Sequence, residues 1–277
     1  MNTEIQTAIC LQPYIPMRAA DKESAEMVNQ LIFGDTLRIL EQRPRWFRIV
    51  RDYDDYEGWV DCKTVTILSN QDYLHYKVQA EQALLLRQPY NVVARNKDGQ
   101  SVSLYLSWGS RIYNLDDMGV SFHMQGIRYD VPNITYVNPV SATSMSRTAC
   151  AKYLLQQAQM LVNVPYLWGG CTAFGIDCSG FTQTLYRFIN IKLPRNASQQ
   201  VQLGTEVPYE ERACGDLAFF NHGESDGRVS HVGVCDDRGR ILHCSASLHY
   251  DEFLPEGIWS KELKLLTHNL VCIKRFF

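Results

Sequence analysis

One cysteine of this chain, Cys178, lies in a sequence that opens a helix, which is a favourable place for a nucleophile. Asp177, directly before it, is a residue type that often caps helices. Four apolar residues after it fall on one helical face: Phe181, Leu185, Phe188 and Ile189. The positive end of the helix dipole favours the thiolate of a first-turn cysteine, and a neighbouring imidazolium can lower the thiol pKa further, so we expect it to fall from about 8.5 to well below 7. Gly180 is expected to leave the backbone open beside the sulfur.

Two histidines on neighbouring predicted strands could supply the base that such a nucleophile needs. Residues 230–234 alternate like a strand, residues 236–239 have turn chemistry, and residues 240–243 resume the strand. His231 and His243 share a face if the connection has an odd residue count or contains one bulge. They would then be cross-strand neighbours with Cβ atoms about 4.5–5.5 Å apart. We assign His231 as the base and His243 as the residue that orients it.

Five short motifs in the C-terminal half resemble those of the NlpC-type cell-wall cysteine peptidases. The motifs cover residues 166–170, 177–181, 193–195, 215–220 and 230–234. The resemblance extends over residues 144–277 and implies a small papain-like fold that hydrolyses amide bonds in peptidoglycan stem peptides, with no metal or cofactor. His243 fits the third triad position, which varies in that family.

Short alternating strands divided by turn residues characterise the first 70 residues. They lie at residues 30–35, 37–40, 46–50 and 56–60, a spacing that predicts a small barrel. The segment at 58–60 and the upstream segment at 33–35 resemble bacterial SH3-like domains, which commonly precede these peptidases.

A second, divergent barrel is predicted from the strand-like segments 83–87, 102–110 and 129–132. Residues 139–144 suggest a linker, and residues 149–161 suggest the helix that opens the catalytic domain. We therefore expect an α+β chain in three parts. These are SH3-like barrel 1 at 1–70, SH3-like barrel 2 at 71–143, and a papain-like catalytic domain at 144–277.

The two-barrel arrangement resembles a subgroup, the γ-D-glutamyl-diamino acid endopeptidases of murein recycling, which release L-Ala-γ-D-Glu from free stem peptides. In that subgroup the first SH3-like domain closes one end of the cleft, so that only a peptide with a free N-terminal alanine fits. A buried ammonium must be paired with an acceptor. Glu26 is the predicted anion and Tyr56 the predicted hydroxyl partner, while Asp21 or Glu23 could replace Glu26.

The subgroup resemblance also implies five substrate contacts in the catalytic domain: Tyr166, Trp168, Asp177, Ser179 and Ser198. Tyr166 could stabilise the oxyanion together with the backbone amide of the nucleophile, which in acyl transfer is worth about 2.7–4 kcal/mol. Asp177 could accept from the substrate amine or cap the helix. Ser179 and Ser198 could donate to the carboxylate of the γ-linked glutamate. Arg195 could bind that carboxylate as a fork or be a surface ion partner.

Length, charge and cysteine usage limit the remaining possibilities. The chain has 277 residues, a net charge of -3, 45% apolar and 21% charged residues, which describes an ordinary globular protein without a nucleic-acid signature. We expect no membrane partner, because no stretch approaches the roughly 18 apolar residues of a membrane span and no signal pattern opens the chain. The nine scattered cysteines predict a reducing compartment, the cytoplasm, with export of a processed form as the alternative. No obligate protein partner is evident.

Three other classes of function stay open at the level of sequence. A zinc site could use Cys171 and Cys178 with His222, His231 or His243, although the spacing lacks the Cys-x-x-Cys pattern of common sites. An acyltransferase or amidase could use the same cysteine–histidine pair with another acceptor. A wall-binding protein could carry an inactive enzyme domain as a scaffold. The sequence does not choose lysine or diaminopimelate in the leaving group.

Overall fold

The computed structural model of the chain describes residues 5–131, 135–223 and 227–277. The chain divides into two compact units, Met1–Pro139 and Val140–Phe277, so the second unit starts slightly before the predicted residue 144. Residues 1–4 of the predicted first barrel and Pro132, the end of a predicted strand, lie outside the described residues. Among the described helices, none has the length and apolar character needed to span a membrane.

The first half of unit 1 is one antiparallel sheet. Its strands within the described residues are β1 (Thr7–Ile9), β2 (Tyr14–Arg18), β3 (Met27–Ile32), β4 (Thr36–Gln42), β5 (Trp46–Arg51), β6 (Glu57–Asp61) and β7 (Thr66–Leu68), in the order β3-β2-β6-β5-β4-β1-β7. Alternate residues of β2 point inward, so Ile15 and Met17 join Leu31, Ile49 and Val60 in a core. A 3-10 turn at Cys62–Thr64 precedes β7.

The second half of unit 1 begins with helix α1 (Asn70–Gln79), which Ser69 caps. Seven described strands follow: β8 (Leu84–Leu86), β9 (Tyr90–Lys97), β10 (Gln100–Ser107), β11 (Arg111–Ile112), β12 (Ser121–Met124), β13 (Ile127–Asp130) and β14 (Tyr136–Val137). They form sheets β10-β9-β13-β12 and β11-β8-β14. Phe33 of the first half packs edge-on against Phe122 and Tyr129. The two halves of unit 1 therefore share a core, and their division into two SH3-like barrels at residues 1–70 and 71–143 stays a prediction.

Unit 2 consists of five described helical segments, counting two 3-10 turns, together with a short strand pair and a seven-stranded antiparallel sheet. Four of these segments are a 3-10 turn (Ala142–Ser144), α2 (Arg147–Gln159), α3 (Cys178–Arg187) and α4 (Ala197–Gln200). The strands are the short pair β15 (Cys171–Thr172) and β16 (Gly175–Ile176), then β17 (Thr205–Val207), β18 (Leu217–Asn221), β19 (His231–Cys235), β20 (Arg240–Ser245), β21 (Ser247–Leu254), β22 (Gly257–Ser260) and β23 (Leu265–Arg275), with a 3-10 turn at Tyr209–Glu211. The sheet order is β17-β23-β18-β19-β20-β21-β22. The whole chain is thus mainly β, with less helix than the expected α+β class suggests.

Helix α3 is the central element of unit 2 and packs against β15, β19 and β20. The sequence suggested one apolar face, but every residue of α3 is buried, including the polar Thr182 and Gln183. Thr182 is satisfied by a hydrogen bond to the side chain of Gln200, and Gln183 donates to a backbone carbonyl. The expectation that Gly180 leaves open space was wrong. A Cβ at that position would lie 2.1 Å from the carbonyl oxygen of Gly170, so only glycine allows α3 to approach this closely.

Candidate active site

The sulfur of Cys178 lies at the point where α3 meets β19. Asp177 caps the helix as predicted, because its carboxylate accepts the amide hydrogen of Gly180 at 2.7 Å. The sulfur accepts backbone hydrogen bonds from Val232 and Ser179. Val232 directly follows His231 in β19. The sulfur of the nucleophile is therefore bound by the residue next to the predicted base.

Burial, and not the helix dipole, dominates the acidity of this thiol. Removal from water raises the pKa of Cys178 to about 12, and the negative charge of Asp177 adds to the rise. Amide donors and the buried Arg195 act in the opposite direction without overcoming it. The expected thiol pKa well below 7 is therefore wrong for the free site, because the sulfur is almost fully enclosed. The site holds a neutral thiol until a base takes its proton.

The hairpin of β19 and β20 brings the two histidines onto one face. Five residues, 236–240, connect the last paired positions, which is the odd count that the prediction required. Gly239 adopts a left-handed φ of 75° in this turn. The register pairs Gly233 with His243, so His231 is the diagonal neighbour of His243 and not its direct partner as predicted. A Cβ at position 233 would lie 3.0 Å from the Cβ of His243, so glycine leaves room for the imidazole.

A chain of hydrogen bonds runs from this pair to a carboxylate. His231 Nε2 lies 2.9 Å from His243 Nδ1, and His243 Nε2 lies 3.3 Å from Asp251 Oδ2. Although burial opposes ionisation, hydrogen bonds from His243 and His249 hold the pKa of the Asp251 carboxyl well below its usual range.

The charge of Asp251 sets the direction of that chain. An ionised carboxylate only accepts hydrogen bonds, so His243 must carry its proton on Nε2. His243 Nδ1 is then an acceptor, and His231 must donate to it from Nε2. This leaves the lone pair of His231 on Nδ1, the nitrogen that is not bonded to His243. A neutral imidazole with that tautomer can accept the proton of a thiol.

Burial and, after it, the neighbouring imidazoles keep His231 in its neutral form. Burial, followed by the nearby His243, His268 and His222, holds the pKa of His231 well below its ordinary value. The ring of His268 stacks on that of His231 with centroids 4.2 Å apart, and the ring of His222 is 4.4 Å from that of His268. Burial also lowers the pKa of His268, to about 3. The base is therefore surrounded by rings that disfavour a second positive charge.

Three residues of this cluster were missed by the sequence analysis: His249, Asp251 and His268. The signal for two of them was present, because His249 and Asp251 are separated by one residue in a strand-like segment and therefore share a face. No local pattern marks His268, which reaches the site only because β23 pairs with β18 and β22.

A buried ion pair supports the start of α3. Arg195 is 2% exposed, and its guanidinium binds both carboxylate oxygens of Asp177 and lies 3.0 Å from Ser179 Oγ. The surface ion partner that we considered for Arg195 is thus wrong. Asp177 also accepts from the amide of Gly169 at 2.9 Å, so both of its oxygens are engaged within the protein. The role of Asp177 and Ser179 as substrate contacts stays a prediction.

The other predicted contacts of unit 2 lie in different environments. Tyr166 is half-buried, and burial together with the neighbouring Cys178 and Asp177 raises the pKa of its phenol, so the hydroxyl keeps the proton that an oxyanion donor needs. Trp168 is 61% exposed, and Ser198 is exposed in α4. Their roles stay predictions.

The predicted ammonium contacts belong to unit 1. Glu26 is exposed, and Tyr56 is partly buried and packs against the core of the first half. The alternatives Asp21 and Glu23 each form an ion pair with an arginine. Which of these side chains meets a substrate amine stays a prediction.

The zinc site suggested as an alternative does not assemble. Among the described residues, the group of potential ligands that converges is His243, His249 and Asp251, and it includes neither Cys171 nor Cys178. The cysteine-based zinc site is therefore not supported by the arrangement of its ligands.

Comparison with known proteins finds one family match in each unit of the chain. Residues 163–267 match the NlpC/P60 family, and residues 17–65 match the bacterial dipeptidyl-peptidase SH3 domain. Two relatives are gamma-D-glutamyl-L-lysine dipeptidyl-peptidases. The one from Bacillus cereus is 26% identical over 244 residues, which cover 83% of this chain and 71% of the relative. The one from Bacillus subtilis is 26% identical over 250 residues, which cover 85% and 78%.

A solved structure shares the fold over almost the whole length. The NlpC/P60 family protein from Bacillus cereus superposes with a TM-score of 0.79 at 20% identity, covering 98% of this chain and 99% of that one. This likeness shows the fold.

The neutral state of the thiol leads to a first prediction. A pH titration of thiolate absorbance in the wild type, minus that of Cys178→Ala, should show no thiolate from Cys178 at pH 7. The signal should rise only in the alkaline range, above the value of about 8.5 for a free cysteine, because burial raises the pKa of this thiol. A difference signal with a midpoint below pH 7 would contradict this description of the site.

Proposed function

We propose that this chain, a cysteine peptidase with an NlpC/P60 domain at residues 163–267, acts on free murein stem peptides. The bond that it hydrolyses is the one from the γ-carboxyl of D-glutamate to a diamino acid. The product is L-Ala-γ-D-Glu, and the role is the recycling of cell-wall peptides. The observation that carries the proposal is the hydrogen-bond chain from Asp251 through His243 to His231, together with the backbone hydrogen bond from Val232, the residue after His231, to the sulfur of Cys178.

Two further observations support this substrate over other amides. The relatives that cover most of this chain are named for the same γ-D-glutamyl chemistry. The N-terminal match is to an SH3 domain of bacterial dipeptidyl-peptidases, at residues 17–65. Both parts of the chain therefore point to a peptidase that removes a dipeptide.

Acylation begins with the neutral pair. His231 Nδ1 takes the proton of Cys178 as the sulfur attacks the γ-carbonyl carbon of the D-glutamyl residue. The tetrahedral oxyanion is stabilised by the backbone amide of Cys178 at the start of α3 and by the hydroxyl of Tyr166. The imidazolium then gives its proton to the nitrogen of the diamino acid, the C–N bond breaks, and a thioester remains.

Deacylation uses the same groups in reverse. His231, neutral again, removes a proton from a water molecule that attacks the thioester carbonyl. The C–S bond breaks, the sulfur regains its proton, and L-Ala-γ-D-Glu leaves. Asp251 stays ionised throughout and, through His243, balances the positive charge that develops on His231. The lowered pKa of His231 makes the imidazolium a strong acid, which suits protonation of a poor leaving group.

We further propose how the substrate is recognised. Trp168 walls the pocket, and Ser179 and Ser198 donate to the glutamate carboxylate. A carboxylate recognises the N-terminal ammonium, with Glu26 as the candidate and Tyr56 as its hydroxyl partner. We also propose a reducing compartment, the cytoplasm, which is supported by nine free thiols in the described residues.

Loss of the nucleophile should abolish turnover. Cys178→Ala should reduce hydrolysis of L-Ala-γ-D-Glu-diamino acid by at least about 10⁴-fold, because no other group in the mechanism forms the thioester. Mass spectrometry of the products measures this and also distinguishes hydrolysis from transfer to another acceptor. Cys272→Ala, which removes a half-buried thiol of β23, is the control and should retain activity. Equal activity of both variants would refute the assignment.

Removal of the charge at position 251 should affect rate more than binding. Asp251→Asn should lower kcat by about 10²-fold with little change in KM, because an amide can donate to His243 and so reverse the hydrogen-bond chain. Asp237→Asn, at an exposed turn position, is the matched control. A change confined to KM would show that Asp251 does not position the base.

A substrate with a blocked N-terminus tests the recognition of the ammonium. Acetylation should reduce kcat/KM by about 10²-fold or more if a carboxylate waits for that charge. Glu26→Gln should lower kcat/KM for the free peptide and leave it unchanged for the acetylated one. The same comparison for Asp21→Asn and Glu23→Gln identifies the anion if Glu26 is not the one. Equal turnover of both peptides by the wild type would remove the requirement.

A further inference from the structure

Three side chains, two of which also orient the base His231, converge on one face of the β20–β21 hairpin. His243 in β20 is directly opposite His249 in β21, and Asp251 follows two residues later on the same face. Each offers one ligand atom, and the three atoms all lie within 4.8 Å of one another. Two imidazoles and a carboxylate form a common protein ligand set for zinc.

Two distances within this group suit a single tetrahedral ion. Asp251 Oδ2 lies 3.3 Å from His243 Nε2 and 3.2 Å from His249 Nε2. Zinc–ligand bonds of about 2.0–2.1 Å at tetrahedral angles place neighbouring ligand atoms about 3.3 Å apart. The two separations from the carboxylate oxygen match this value, and the two ring nitrogens lie within 4.8 Å of each other.

The surroundings of the group orient it and leave an access route. His249 Nδ1 lies 2.8 Å from the carbonyl oxygen of Ser247 and, as the donor, keeps Nε2 turned toward Asp251, in the way that metal-binding histidines are commonly fixed. The side chain of His249 is 34% exposed, whereas that of His243 is 1% exposed. A hydrated ion thus reaches His249 and Asp251 first, and water can keep the fourth position.

We propose that His243, His249 and Asp251 bind a divalent transition metal, with Zn²⁺ as the best match, and that the bound ion inhibits the peptidase. Imidazole nitrogen with one carboxylate suits zinc better than Mg²⁺ or Ca²⁺, which take oxygen ligands. The binding site is independent of the proposed substrate, while the inhibitory effect rests on the proposed function.

Inhibition follows from the tautomers of His231 and His243. A metal on His243 Nε2 requires a lone pair there, so the proton of His243 moves to Nδ1. His243 Nδ1 then donates to His231 Nε2, and the proton of His231 moves to its own Nδ1. Each ring keeps one proton, and any proton on His249 Nε2 passes to solvent. The nitrogen that should accept the thiol proton is now an N–H, so it cannot act as a base.

Metal binding is tested first without the reactive thiol. Cys178→Ala protein, titrated with Zn²⁺ by calorimetry at pH 7.5, should bind one equivalent that the double variant Cys178→Ala/His249→Phe does not bind. Co²⁺ in place of Zn²⁺ should give the visible bands of a tetrahedral site without thiolate ligation. The matched control is Cys178→Ala/His123→Phe, because His123 is an exposed histidine of unit 1, and it should keep the equivalent.

Inhibition is tested separately on proteins that retain Cys178. The hydrogen-bond chain from Asp251 through His243 to His231 does not pass through His249, so His249→Phe should still hydrolyse the stem peptide. Its rate should be lower because Asp251 loses one hydrogen bond, and inhibition is measured relative to each variant's own rate without zinc. The Zn²⁺ concentration for half-inhibition should rise at least 10-fold in this variant and stay unchanged in His123→Phe. If circular dichroism shows that His249→Phe does not fold, His249→Gln is used in its place.

The outcomes separate the site from the proposed function. Equal zinc binding by Cys178→Ala with and without His249 overturns the site, even if the wild type proves to act on another substrate. Equal inhibition of the wild type and the His249 variant places the inhibitory ion on Cys178 and overturns the regulatory role. Zinc that binds through His249 without slowing the wild type overturns it as well.

Discussion

The hydrogen bond between His231 Nε2 and His243 Nδ1, 2.9 Å long, is the interaction on which the site depends. A neutral imidazole has one donor and one acceptor, so one such bond leaves its direction undetermined. The carboxylate of Asp251, which only accepts, removes that freedom. The charge of one side chain in β21 thereby decides which nitrogen of a residue two strands away can accept a proton. The catalytic chemistry that we propose follows from this direction.

Burial keeps the reacting groups neutral. The thiol of Cys178 and the imidazole of His231 both lose water, which raises the pKa of the first and lowers that of the second. Each shift opposes charge, so the free site favours the uncharged pair over the thiolate–imidazolium pair. A bound substrate favours the charged pair more than the free site does, because it supplies hydrogen-bond donors and develops charge as it reacts. The start of α3 is kept rigid meanwhile, because Asp177 is held by Arg195 and by two backbone amides.

A single hairpin face carries both the orienting carboxylate and the proposed zinc ligands. Asp251 accepts from His243 and from His249 through the same oxygen, so a proton on His243 and a metal ion compete for one position. Such competition explains how an inhibitory site arises without a separate pocket. The rings of His222 and His268 act elsewhere in the cluster, where they disfavour a positive charge on His231 itself.

The sequence alone determined the nucleophile's helix, its aspartate cap and the odd-length turn of the histidine hairpin, because capping and strand alternation depend on neighbours along the chain. It also carried the motifs of the NlpC/P60 family. Only the tertiary structure decided the diagonal register of His231 and His243, the burial of Arg195, the shared core of unit 1 and the arrival of His268. Burial and pairing between distant strands depend on how the elements pack, and no local pattern specifies them. The acidity of Cys178 was mispredicted for the same reason, since the dipole is a local property and desolvation is not.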